Sequence, residues 1–220
     1  MLRFRDRTQA GRRLAESLAD YAKRGDAIVL GLPRGGVPVA FEIAKTLDIP
    51  MDIFLVRKLG VPAHEELAMG AIASGGVRVL NDDVIHALGI SDRAVAEVAA
   101  REQHELERRN RLYRGEQAAP DLRNKLVILT DDGLATGATM QAAVNAVRAQ
   151  QPAQVVVAVP TAAPDTCDML AEQVDRIVCL MTPEPFGGVG AWYEDFSQMT
   201  DDEVRGILEE AQAQRIGRHG

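Results

Sequence analysis

Val127-Ile-Leu-Thr-Asp-Asp-Gly-Leu-Ala-Thr-Gly-Ala-Thr139 is the stretch that decides how this chain reads. Its start belongs to an apolar run, Leu126 to Thr130, which is short and rich in β-branched residues and therefore reads as a buried strand. Two carboxylates follow, Asp131 and Asp132. Next comes a turn of small residues, Ala135-Thr-Gly-Ala-Thr139, opening a helix over 137–149. The first N–H groups of a helix lack intrahelical partners and its dipole favours negative charge there. The turn adds the hydroxyls of Thr136 and Thr139, and Gly137 lets the backbone come close to a ligand. Together these make an anion site suited to a phosphate monoester. Asp131 and Asp132 stand beside such a phosphate, where carboxylates suit a sugar diol or the water shell of a divalent cation. Each piece alone is an ordinary Asp-Asp-Gly turn before a Thr-capped helix. The order of all thirteen residues points to a ribose 5-phosphate.

Outward from this stretch the chain keeps an α/β rhythm. Strands are expected at Ala27–Gly31, Asp52–Val56, Leu126–Thr130, Val155–Val159 and Arg176–Leu180, and helices over 7–23, 37–47, 137–149 and 164–172. Short apolar strands separated by helices predict a doubly wound, mainly parallel sheet. Leu67–Ile72 and Val77–Leu80 flank Ala73-Ser-Gly-Gly76 and predict a hairpin. A short helix follows at 82–88. Ser91 is a candidate cap for a long charged helix reaching about Arg114, read as a solvated face with i,i+4 pairs and given no function. A last helix is expected over 200–212. The whole of 1–220 reads as one domain.

In such sheets ligands bind at the loops leaving the carboxyl ends of the strands. The loop after the first strand, Leu32-Pro-Arg-Gly-Gly-Val37, offers two glycines and the forked donors of Arg34. At the end of the second expected strand stand two adjacent cations, Arg57 and Lys58.

Bulk properties narrow the field. Lys+Arg total 25 and Asp+Glu 32, a formal net charge of −7, which disfavours broad nucleic-acid binding. No apolar run approaches the ~20 residues of a membrane span. The charged start lacks the apolar stretch of a signal peptide. Cys167 and Cys179 make no disulfide framework and no Cys-x-x-Cys, which fits a reducing compartment. A cytoplasmic protein is the expectation. No His-Glu-x-x-His, Gly-x-Ser-x-Gly or Gly-x-Gly-x-x-Gly occurs, so zinc peptidase, serine hydrolase and NAD enzyme readings lack their motifs. Only nine residues are aromatic, and four of them, Phe186, Trp192, Tyr193 and Phe196, lie within eleven positions. These form either a small satellite core or a stacking surface for a flat heterocycle.

The thirteen-residue stretch resembles the phosphoribosyl-pyrophosphate motif of the type I phosphoribosyltransferases. Val127, Ile128, Leu129, Asp131, Asp132, Thr136, Gly137 and Thr139 occupy the motif positions, and Thr130 alone departs. The resemblance implies a transferase. Asp131 and Asp132 would hold the ribose hydroxyls, and Ala135, Thr136, Gly137, Ala138 and Thr139 the 5-phosphate. Arg34, Gly35, Gly36, Arg57 and Lys58 would meet the pyrophosphate. A mobile lid and hairpin is implied over 58–80, with Gly60–Ala73 as the lid and His64, Glu65 and Glu66 as candidate proton-transfer groups. A hood over 183–199 would cover the base through Phe186, Val189, Trp192 and Tyr193. Mg²⁺ would be carried by the substrate near Asp131 and Asp132. Ala135 replaces the Asp that oxopurine enzymes carry there, which points away from hypoxanthine or guanine as acceptor and leaves Glu194 or Asp195 as other sources of a base.

The partners so implied are phosphoribosyl pyrophosphate and an aromatic base or its nucleotide, with a homodimer allowed. Two other functions share the fold: a non-catalytic sensor of phosphoribosyl pyrophosphate or a nucleotide, and a hydrolase of related architecture.

Overall fold

The chain opens with helix α1 (Arg7–Glu16), capped by Asp6, whose side chain accepts from the Gln9 amide. A 3-10 turn at Ala19–Tyr21 ends this segment, so the helix expected over 7–23 is shorter than its periodicity suggested. Then come β1 (Ala27–Gly31), α2 (Gly36–Leu47) and β2 (Met51–Ile53). Strands β3 (Val56–Val61), β4 (His64–Ala73) and β5 (Val77–Leu80) precede α3 (Asp82–Ala87) and α4 (Asp92–Arg114). The second half runs β6 (Leu126–Thr130), α5 (Ala138–Arg148), β7 (Gln154–Thr161), α6 (Pro164–Ala171) and β8 (Arg176–Met181). A 3-10 turn at Val189–Trp192 and α7 (Asp201–Ile216) close it. This computed structural model describes residues 3–62 and 64–216, with the backbone alone at 65, 66, 215 and 216.

Five parallel strands form the main sheet in the order β2-β1-β6-β7-β8. Alternate residues of each strand feed opposite layers. Leu30, Val127, Leu129, Val155 and Val157 pack with Met140, Val144, Val147 and Leu170 on the α5/α6 face. Val29, Leu126, Ile128 and Val156 pack with Leu14, Leu18, Val39, Ile43 and Leu47 on the α1/α2 face. Each such side chain contributes about 1.5–3 kcal/mol on burial, so the central strands are the most firmly fixed part of the molecule. The sheet and its helices match the doubly wound expectation.

Three local expectations are revised. The second expected strand, 52–56, is split: β2 ends at Ile53, and Val56 already belongs to a separate three-stranded antiparallel sheet, β3-β4-β5. The break is fixed by reciprocal bonds, Leu55 N–H to Ser74 Oγ at 3.1 Å and Ser74 N–H to the Leu55 carbonyl at 2.8 Å. The buried Arg114 side chain reaches Asp52 Oδ1 and the Ile53 carbonyl at the same point. Second, Gly60–Ala73, read as a loop-like lid, is largely paired strand. Leu59, Val61, Met69 and Ile72 bury against α4, and the register slips around Gly60. The hairpin across Ala73–Gly76 stands as expected. Third, Cys167 on α6 and Cys179 on β8 are joined as a disulfide, which removes the support that unpaired cysteines gave to a reducing compartment. Ser91 does cap α4, accepting from the Ala94 amide at 3.3 Å.

Among the described residues no helix is long and apolar enough to cross a membrane.

Candidate active site

β1 and β6 lie side by side with Gly31 opposite Thr130, so the loops leaving them are neighbours. Leu32 N–H donates to the Thr130 carbonyl at 2.9 Å, and the Pro33–Arg34 peptide is cis. A Cβ on Gly35 would stand 2.0 Å from Asp132 Oδ2, and one on Gly36 would stand 2.7 Å from the Thr130 carbonyl oxygen. The first loop therefore lies against the acid pair, and at Gly36 the backbone leaves no room for a side chain.

Asp131 and Asp132 are both partly buried. Asp131 Oδ1 accepts from the Asp132 amide at 2.8 Å, while Asp132 Oδ2 accepts from Arg7 Nε at 2.8 Å. Burial, and then the charge of Asp132, hold the Asp131 carboxyl well above its ordinary range. Asp132 is also raised by burial, against which the Arg7 charge and hydrogen bond pull it down. Arg7, which bonds Asp132 and not Asp131, favours placing negative charge on Asp132.

Beyond the acids, Leu134 N–H bonds the Thr161 carbonyl at 2.9 Å, which holds the phosphate loop to the end of β7. Ala135, Thr136, Ala138 and Thr139 are exposed, and Gly137 is buried at φ 70 as the cap of α5, with no side-chain bond closing that helix end. Thr166 of α6 donates through Oγ1 to the Ala135 carbonyl at 2.6 Å. The loop is thus braced by α6 through the Ala135 carbonyl.

The cations are distributed differently from the sequence reading. Arg57 and Lys58 are not at a strand end of the main sheet but on β3, where Arg57 donates through Nε and Nη2 to Glu102 Oε2 at 2.9 and 2.6 Å. They line a cleft of about 430 Å³ together with Pro33 of the first loop and Ala138 and Thr139 of the phosphate loop. Arg34 turns toward the start of α7, its Nη1 4.0 Å from Asp201 Oδ1.

Two of the four clustered aromatics, Trp192 and Tyr193, are core. Tyr193 and Trp192 are 3% and 8% exposed, so neither presents an open face to a base, contrary to the expectation from the sequence. Tyr193 packs with Phe4 and Ala10, and its hydroxyl donates to the Asp132 carbonyl at 2.6 Å. Burial raises that hydroxyl's pKa further above the usual range, so it remains a donor. Trp192 Nε1 donates to the Phe186 carbonyl at 2.8 Å. Val189 lies over Gly133, where a Cβ would stand 2.6 Å from Val189 Cγ1. The hood therefore rests on the Asp-Asp-Gly turn, and Phe186 and Val189 are its partly exposed members. Phe196 is the exposed ring, with Tyr193 at 5.2 Å and the Arg7 guanidinium 4.1 Å from its centroid. His64 is an exposed residue paired with Val61 at the start of β4. The side chains of Glu65 and Glu66 lie outside the described residues.

Sequence reasoning missed Arg7, Thr166 and the α4 side chains around Arg57. Arg7 sits in a charged run 125 positions from Asp132, and nothing in its local spacing marks it. No group of three or more His, Cys, Asp or Glu side chains among the described residues could hold a metal ion. One oxygen of each acid is already bonded within the protein, so the donor set fits hydroxyls or a hydrated ion and not a protein-only cage.

The main parallel sheet carries an acid pair and a glycine turn side by side at the carboxyl ends of β1 and β6. Residues 3–187 match the phosphoribosyl transferase domain family, and the chain belongs to it. It is 47% identical over 209 residues to a protein of Mycobacterium tuberculosis, seen in two strains, whose name carries a provisional phosphoribosyl transferase assignment. That match covers 94% of this chain and 47% of the relative, so the chain spans about half the length of the curated relatives it matches. The crystal structure of TT1426 from Thermus thermophilus superposes with a TM-score of 0.87 at 42% identity, covering 95% of this chain and 99% of that one.

Proposed function

We propose that this chain transfers the 5-phosphoribosyl group of phosphoribosyl pyrophosphate to a ring nitrogen of an aromatic base, releasing pyrophosphate, in nucleotide salvage. The observation that carries the reading is the contact of Gly35 and Gly36 with Asp132 and Asp131. It supports reading the glycine turn as a leaving-group loop beside an acid pair that accepts from a sugar diol.

In this reading the amides of Thr136 to Thr139 and the Thr hydroxyls hold the 5-phosphate. Asp132, paired with Arg7, accepts from a ribose hydroxyl, and Asp131 offers a second acceptor. Arg57 and Lys58 neutralise charge that builds on the departing pyrophosphate, and Arg34 joins them once released from Asp201. The protein's contribution is positioning and charge stabilisation at C1 of the ribose. A Mg²⁺ ion carried by the donor would stand beside Asp131 and Asp132 and further neutralise the pyrophosphate. The β3–β4 hairpin, taken as a lid, would exclude water from the reacting centre.

The test is pyrophosphate release from phosphoribosyl pyrophosphate across a panel of purines, pyrimidines and aromatic amides. A base-dependent release at least 100-fold above background is expected. Background release with every base would remove the transferase reading. One observation favours a second reading, a sensor that binds the donor or a nucleotide without transfer: Trp192 and Tyr193 are packed into core instead of framing an acceptor face. Donor-induced thermal stabilisation with no release would select it.

A further inference from the structure

Helix α4 carries a run of charges that mostly pair with one another on a solvated face, as Arg93 does with Glu97 and Arg108 with Glu105. Two of its arginines, though paired in the same way with Glu102 and Glu105, also face a cleft. Arg101 and Arg109, eight residues and so about 12 Å apart along the helix, line the same 430 Å³ cleft as Arg57, Lys58 and Thr139. Four cationic side chains and one carboxylate, Glu102, line the cleft, and Glu105 beside it pairs with Arg109. The chain as a whole is at −7, so this gathering of cations is local.

Their hydrogen bonds leave these groups able to take a ligand. Glu102 is shared: Oε2 accepts from Arg57 and Oε1 from Arg101 Nε at 3.1 Å. Arg109 commits one of its five donors, Nε, to Glu105 Oε1 at 2.7 Å. The cleft also reaches Pro33 on one side and the first turn of α5 on the other. An anion seated there must satisfy guanidinium forks on α4 and β3 at once, while staying attached to a group at the phosphate loop. A diphosphate has acceptor oxygens on two phosphorus centres and so offers these donors more partners than a single phosphate does.

We infer that Arg101 and Arg109 are pyrophosphate-binding residues, so that α4 forms the outer wall of the leaving-group site. This rests on the phosphoribosyl-transfer reading for its biological ligand, but the anion site stands on the cleft itself.

The test is calorimetric titration of the full chain with inorganic pyrophosphate and, separately, orthophosphate. It compares the wild type with Arg101→Gln, Arg109→Gln and, as a control on the same helix outside the cleft, Arg108→Gln. Side chains 101 and 109 are 62% and 37% exposed, so both variants keep the core, which thermal melts check. The expected result is a loss of about tenfold or more in pyrophosphate affinity for each cleft variant. Orthophosphate affinity and the Arg108→Gln variant should stay within about twofold of the wild type. The inference is overturned if both cleft variants bind pyrophosphate like the wild type. It is equally overturned if Arg108→Gln loses as much as they do, since the effect is then a diffuse field and not contact. Base-dependent turnover with unchanged pyrophosphate affinity in the variants would sink this inference and leave the transferase reading standing. Arg109-dependent pyrophosphate binding without turnover would do the reverse.

Discussion

Arg7 Nε stands 2.8 Å from Asp132 Oδ2, with the two side chains only 12% and 14% exposed. The same guanidinium donates to the Ser197 carbonyl and covers the Phe196 ring. One residue at the start of α1 thus joins the acid pair to the segment over 183–199. Removing it leaves the Asp132 carboxylate desolvated beside Asp131 with no counter-charge. Arg7→Met should lose about 2–4 kcal/mol of stability, read from urea unfolding. Arg7→Lys keeps the charge without the fork and should lose less. Since Arg7 is what pulls the Asp132 pKa down, the variant's carboxyl ionises at higher pH. Its nucleotide binding should fall away at a higher pH than in the wild type. An unshifted acid limb in isothermal titrations from pH 5 to 8 would show that Asp132 does not hold the ligand as an anion.

Asp131 poses the opposite trade. Burial and the charge of Asp132 raise its pKa in the folded chain. Between the unfolded value and the raised one, the folded state binds more protons. Stability contributed by this group therefore falls as pH rises through that window, and the loss is complete above it. Asp131→Asn imitates the protonated form. At pH 7.5 it should raise the melting temperature by about 2–4 °C, a modest gain because the group retains some solvent contact. The gain should vanish near pH 3, where both forms are protonated, and donor binding should be lost. A lower melting temperature at pH 7.5 would contradict this assignment.

Glycine substitutions separate fit from function. Gly36→Ala meets backbone, the Thr130 oxygen at 2.7 Å and Asp131 Cα at 2.8 Å, and backbone at the end of a central strand cannot give. A loss of about 2–3 kcal/mol is expected on thermal or urea unfolding. Gly35→Ala meets only the carboxylate of Asp132, which can rotate away. It should cost less stability, but Asp132 would leave Arg7, and donor affinity should drop about tenfold or more. Gly25→Ala, with no atom within 4 Å of its Cβ, is the neutral comparison. Equal effects of all three on both readouts would refute the packing argument.

The main sheet was legible because its strands are buried on both faces, and such strands read as unbroken apolar runs whatever lies around them. Ala27–Gly31 and Leu126–Thr130 carry the same residues in sequence and structure. The split at Ile53 was not legible, since Phe54, Leu55 and Val56 continue the apolar run and the bond that fixes the break comes from Ser74, 19 residues beyond Leu55. The Asp131–Asp132 pair and the phosphate loop were visible as contiguous chemistry. Arg7, Glu102 and Thr166 were not, because each reaches the site from a different element through one long-range contact. The tail aromatics misled for a related reason: clustering in sequence marks a shared location, and burial decides whether the rings face a ligand or one another.

Thr166 and its neighbour Cys167 give the last expectation. Thr166 Oγ1 holds the Ala135 carbonyl at 2.6 Å, and its methyl group is the nearest atom to a Cβ on Gly137, at 2.6 Å. Helix α6 therefore shapes the phosphate loop at two points, and the Cys167–Cys179 disulfide ties α6 to β8 one residue further on. Closing that short loop should contribute about 2–3 kcal/mol. Reduction should lower the melting temperature by several degrees, and the Cys167→Ser, Cys179→Ser double variant should match the reduced protein. Thr166→Val removes only the hydrogen bond. It should lose about 1 kcal/mol of stability and weaken binding of a nucleoside 5′-monophosphate severalfold, with adenosine, which lacks the phosphate, unaffected. Equal weakening of both ligands would mean that Thr166 supports the sheet and not the loop.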